Sequence, residues 1–276
     1  MQLGIFAKTF PGSDAQTVLS AARDAGYATV QFNMACLGLK SMPDAISPAE
    51  TASIAAAAAS TGVSIAAVSG TYNMIHPDPE VRRVGLARLD VLARSAHAMG
   101  TRLITLCTGS RDPDDQWRHH PDNATPQAWA DLIAEMTKAA AIAAAHDVDL
   151  GIEPELANVI SSAPLARRLL DEIGSPRLKI VLDPANLFEI APPAERRRLV
   201  EDAIGLLAPS VALAHAKDRH ADGSFAAAGT GVIDFRHFVA ALKAGGVEAP
   251  LVTHGLDAGQ ATSVARYLAG ILEGIA

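Results

Sequence analysis

The chain has 276 residues, 49% of them hydrophobic, and a formal net charge of -7. That apolar content can bury a large core, and the length sits near that of one α/β barrel, so a single domain over residues 1–276 is expected. The acidic balance excludes the global positive field that holds nucleic acid or an anionic membrane surface, and charges break the alanine-rich segments well before the roughly 18 apolar residues a spanning helix needs. Cys36 and Cys107 lie far apart in apolar surroundings and read as reduced, buried thiols. The N-terminus carries no basic region followed by an apolar stretch, so a cytoplasmic protein is expected.

Short apolar, β-rich runs alternate with longer helical ones along the whole chain. Strands are expected near 2–6, 28–33, 64–69, 102–107, 149–153, 178–182, 210–215 and 250–254. Helices are expected near 14–25, 48–60, 80–99, 126–146, 162–173, 194–207, 235–244 and 258–273. Ser47-Pro48, Thr125-Pro126 and Asp234 read as helix starts, while Gly26, Gly62, Gly100 and Gly174 read as stops. The strands look covered on both faces, as in a parallel sheet. Such an alternation closes into a (β/α)8 TIM barrel or forms a doubly wound open sheet. Neither GxGxxG after the first strand nor GxxxxGK[ST] anywhere is present, which favours the barrel. The connection after the fourth strand, 107–123, is the longest and most chemically mixed, and in a barrel it lies over the active face.

Glu153, Asp183, His215 and His254 each stand where an apolar strand run stops, in GIEPE, VLDPAN, LAHAKD and LVTHG. The C-terminal ends of consecutive barrel strands form a continuous arc, so these groups converge on one point. Packed together they would repel or stay unsatisfied without a cation. Two imidazoles and two carboxylates suit Mn, Fe, Co or Zn better than Ca. Each residue alone is equally compatible with capping or a hydrogen-bonded core role.

These residues, with HAKD and the following GTGVIDF at 229–235, make the chain similar to the xylose isomerase-like barrels, which include sugar phosphate isomerases, D-tagatose 3-epimerase and hydroxypyruvate isomerase. The resemblance implies a divalent-metal-dependent isomerase or epimerase acting on a small sugar or hydroxy-keto acid through an enediolate. It implies one ion, Mn, Zn, Co, Fe or Mg with Mn or Zn favoured, held by Glu153, Asp183, His215 and the strand-8 residue. That last position departs from the family, because His254 stands where a glutamate is usual. A metal-bound imidazole has no free basic nitrogen and cannot replace that glutamate as a base. Glu153 remains one base; Glu155, His76, His120, Lys217 and Asp218 are the candidates for a second acid–base group, and Glu155 can face inward only if the strand ends by Pro154.

Asn73, His76, Arg111, Trp117, His120, Asn186, Lys217 and Asp218 are the expected substrate-facing groups, since a polyhydroxylated ligand needs fixed donors and acceptors plus an apolar wall. Asn186 and Asn158 are equally suited to Asx turns, and the 107–123 connection to an exposed mobile loop. Arg111 or Arg219 could meet a phosphate or carboxylate, although neither sits in a glycine-rich cradle. A dehydratase or lyase is the close rival, because elimination needs one base and one acid. A non-catalytic sugar-binding barrel is the alternative if His254 holds no metal. Abasic-site endonucleases share the barrel but need more ligands and a basic surface. The expected partners are a small carbohydrate or keto acid, with no nucleic acid and no membrane; pairing with a second copy is compatible with the apolar-rich exterior.

Overall fold

A computed structural model describes residues 1–274. Eight parallel strands close into a barrel in the order β1-β10-β7-β6-β5-β4-β3-β2. They are β1 (Leu3–Phe6), β2 (Thr29–Phe32), β3 (Ser64–Ser69), β4 (Leu103–Cys107), β5 (Asp149–Glu153), β6 (Leu178–Leu182), β7 (Val211–Ala216) and β10 (Leu251–Thr253). A small antiparallel hairpin, β8 (Asp218–Arg219) with β9 (Phe225–Ala226), follows β7 and has no counterpart in the periodicity of the sequence. Helices α1 (Ala15–Asp24), α2 (Pro48–Thr61), α3 (Pro79–Ala96), α4 (Pro126–Ala145), α5 (Ala163–Ile173), α6 (Pro193–Leu207), α7 (Phe235–Ala244) and α8 (Ala261–Gly274) complete the repeats. The expected starts hold: Ser47, Thr125 and Asp234 each accept a backbone N–H of the first helical turn. The expected helix over 80–99 is shorter, because α3 ends at Ala96 and the chain tightens into a 3-10 turn before Gly100. Closure joins β1 to β10, and the Tyr27 hydroxyl donates to the Ala261 carbonyl beside that seam. Among the described residues, no helix is long and apolar enough to cross a membrane.

Strand residues two apart point the same way, so an inward-facing line on β4, β6, β7 or β10 reads apolar first and polar last. Leu103 precedes Thr105, Val181 precedes Asp183, Leu213 precedes His215 and Val252 precedes His254 at that spacing. Ala67, Leu103, Val181, Leu213 and Val252 pack as one buried plug separate from the main core. Gly151 fits beside it because a Cβ there would approach Val181 to 2.9 Å and Leu103 to 3.3 Å. The plug forms the floor, and the next inward layer becomes the polar site. Pairing slips by one residue between Val30 and Gln31 against β3, and between Ile180 and Val181 against β7, both directly below that layer. Such bulges re-aim the side chains that follow them.

Candidate metal centre

Glu153, Asp183, His215 and His254 come together at the C-terminal end of the barrel, each offering a ligand atom within 4.8 Å of the others. Glu153 is the last residue of β5, so the strand has ended by Pro154 and Glu155 can also turn inward. Asp183 caps the turn after β6, its Oδ1 accepting the Ala185 N–H at 2.8 Å, which leaves Oδ2 for the site. His215 projects from β7 and His254 follows β10, their ring centroids 4.4 Å apart.

The spacings match a common ion. Glu153 Oε1 lies 3.0 Å from His215 Nδ1, and Asp183 Oδ2 lies 3.1 Å from His254 Nε2. Two donors each about 2.1 Å from one ion stand about 3.0 Å apart at a right angle. Three of the four donors take the ligating protonation state. Burial, then the neighbouring His215, pushes His254 below its ordinary value, so its ring is neutral. Burial works to raise the carboxyl of Asp183, but the charge of Lys217 and the bond from His254 outweigh it and hold it well below the usual range. Glu153 is likewise buried yet held low by His215. Neutral imidazole and ionised carboxylate are the ligating forms.

Supporting groups tie these side chains down. Asn186 Nδ2 donates to Glu153 Oε1 at 3.0 Å, and Lys217 Nζ lies 3.4 Å from Asn186 Oδ1 and 3.6 Å from Asp183 Oδ2. Lys217 itself runs under Phe225, with Nζ 4.0 Å from the ring centre. Burial, then the charge of Glu153, pushes the Glu155 carboxyl up to about 8. Cys107, Glu153 and Glu155 also lie within 4.8 Å of one another, but burial and the two carboxylates drive the Cys107 thiol up, so it is no thiolate.

A cavity of about 330 Å³ opens over the cluster, lined among others by Lys8, Gln31, Ser69, Thr105, Glu155 and Trp117. Of the expected substrate-facing residues, Trp117 lines this cavity, while Asn186 and Lys217 brace the carboxylates. The others are placed elsewhere. Asn73 is bonded on both sides of its amide to the Ser110 backbone. His76 bridges Pro113 O and the Asp78 N–H. Arg111 pairs with Asp131 at 2.5 Å and reaches the Ile75 carbonyl. His120 caps the short turn at Pro121–Ala124, and Asn158 accepts from Gly109. Asn73, His76, Arg111 and Asn158 tie the connection after β4 to the loop after β3, to α4 and to the loop after β5, and His120 caps a turn within it. Asp218 is fully buried and accepts backbone N–H groups from Arg219, Gly229, Gly231 and Ile233. Arg219 is spent on the Ala185 and Gly223 carbonyls. Gln31, Ser69 and Thr105 are site residues that strand reading alone passes over; the signal was a polar residue on the inward line of a wholly buried strand.

With this geometry, the chain belongs to the xylose isomerase-like TIM barrel family, whose sequence profile matches residues 19–268. Among solved structures it is similar to an L-ribulose 3-epimerase, with 19% identity, TM-score 0.76 and coverage of 99% of this chain and 95% of that one. It is similar to the D-allulose 3-epimerase of Methylomonas sp., at 15% identity, TM-score 0.72 and coverage of 100% and 97%. A third is the Bacillus anthracis protein AsbF, described as a probable 3-DHS dehydratase, at 13% identity, TM-score 0.76 and coverage of 98% and 99%. No curated protein sequence matches the chain significantly.

Proposed function

We propose that this chain is a divalent-metal-dependent isomerase that moves a proton between the carbons of a small sugar or hydroxy-keto acid next to its carbonyl, by way of an enediolate. The observation that carries the reading is a second buried carboxyl, Glu155, beside the four-donor cluster and facing the same cavity, where burial and the charge of Glu153 push it up to about 8. Glu153, Asp183, His215 and His254 would hold a divalent ion, which would supply a Lewis acid beside the substrate oxygen. Glu153 takes the proton, and Glu155 gives one back or holds the neighbouring oxygen by hydrogen bond. Lys217 adds positive charge beside the carboxylates. Hydroxyls and amides of Ser69, Thr71, Thr105, Asn33 and Gln116 suit a polyol, and Trp117 gives its apolar wall.

Glu153 ends β5 and Glu155 lies within 4.8 Å of it, so on this reading both groups serve one side of the substrate. Same-face transfer suits aldose–ketose isomerisation better than epimerisation through bases on opposite faces. The similarity to sugar epimerases supports the substrate class. Dehydration is the second reading, favoured by the same protonated Glu155, which can hand its proton to a departing hydroxyl. The test is to incubate the zinc- or manganese-loaded protein with small ketoses and hydroxy-keto acids in D2O and follow product mass. An isomer carrying deuterium next to the carbonyl supports isomerisation, and loss of one water supports dehydration. No exchange and no product over the panel contradicts both.

A further inference from the structure

We infer that Gln31 is a positioning residue that fixes His215 with its proton on Nε2, so that the Nδ1 lone pair is the one turned toward the ligand cluster. This rests on the reading of that cluster as a cation site. Gln31 lies on β2, across the barrel from His215 on β7, and both side chains are buried. The carboxamide is fully used. Its Nε2 donates to Ser69 Oγ at 3.1 Å and to Thr105 Oγ1 at 3.1 Å, while its Oε1 faces His215 Nε2 at 2.8 Å. A carbonyl oxygen only accepts, so the ring nitrogen opposite it carries hydrogen. A neutral imidazole then presents a bare lone pair at Nδ1, 3.0 Å from Glu153 Oε1. Two acceptors at that distance repel unless a proton or a metal ion sits between them, and a metal ion takes the place of the proton. Gln31, itself anchored by hydroxyls from β3 and β4, therefore sets up the electrostatic demand that a metal satisfies. Metal-ligating histidines are commonly held this way by an acceptor on the remote nitrogen, and loss of that acceptor costs about 10–100-fold in metal affinity. The register slip between Val30 and Gln31 falls where the chain must aim this side chain across the barrel.

The test uses histidine-labelled full-length protein and long-range 1H–15N correlation at one alkaline pH, metal-free and zinc-loaded, with zinc affinity measured by competition with a chelator. Wild type should show His215 with protonated Nε2 in both states. Gln31→Leu should lose that preference without metal and bind zinc about 10–100-fold more weakly. Gln31→Glu, which keeps an acceptor opposite Nε2, should restore both. If Gln31→Leu does not fold, Thr105→Val removes one anchor of the carboxamide and should shift both readouts in the same direction. A wild-type ring protonated on Nδ1 means the carboxamide is turned over and overturns the inference, as does a folded Gln31→Leu with wild-type tautomer and zinc affinity. A chain that binds no zinc yet shows the Gln31-dependent tautomer sinks the proposed function while leaving the role of Gln31 standing.

Discussion

Asp218→Asn separates a structural role from a substrate-binding one. One carboxylate oxygen accepts from Gly229 and Gly231, the other from Arg219 and Ile233, all at 2.8–3.0 Å. An amide replaces one oxygen by a donor, so two of these N–H groups face another N–H in a fully buried place. Hydrogen bonds to a charged group contribute roughly 1.5–3 kcal/mol each, which puts the loss at about 3–6 kcal/mol. That is a large part of the roughly 5–15 kcal/mol by which domains of this kind are stable. The 229–235 stretch cannot re-pack around the change, because a Cβ at Gly231 would run into the Arg219 carbonyl. Urea unfolding of the metal-free protein measures the loss, and zinc affinity of the folded fraction should stay near wild type. A variant within about 1 kcal/mol of wild-type stability that needs far more substrate for half-maximal rate would refute this reasoning and return Asp218 to the substrate.

Two further outcomes follow from the carboxyl pair. Glu153→Gln should lower turnover by about 10²–10⁴-fold, the usual contribution of a positioned base, while zinc affinity falls less because the amide keeps an oxygen donor at that position; equal loss of both would make Glu153 a ligand only. Glu155 gives the metal-free protein a distinctive pH response. The folded chain holds that proton up to about pH 8, whereas the unfolded chain releases it near the ordinary value of about 4.3. The native state therefore binds more protons across that window, and its stability falls as pH rises through it. Glu155→Gln should flatten that slope in urea titrations at several pH values, and an unchanged slope would show that the proton sits elsewhere.

The barrel was legible because periodicity and caps report local structure: alternating runs, Ser47, Thr125 and Asp234 all mark elements that the fold contains. The polar strand ends were legible for a similar reason, since a charged residue that halts an apolar run has few places to go in a closed barrel. Asn73, His76, Arg111 and His120 bond to backbone groups around 107–123, a placement the sequence does not report because loop polar groups look alike whether they face a ligand or a backbone amide. Gln31 was hidden by the converse effect. Its partners Ser69, Thr105 and His215 are 38, 74 and 184 residues away, so its local mark, a polar residue within a buried strand, names none of them.

The most direct measurement is the metal content of the protein purified without chelator and after reconstitution, beside the same analysis of His254→Ala. The account predicts about one equivalent of a divalent transition metal in the parent and little in the variant, because removing one of the donors within 4.8 Å opens the site. No metal in the parent under either condition would contradict it, and would make the cluster a self-contained network of hydrogen bonds among Glu153, Asn186, His215, Asp183 and His254.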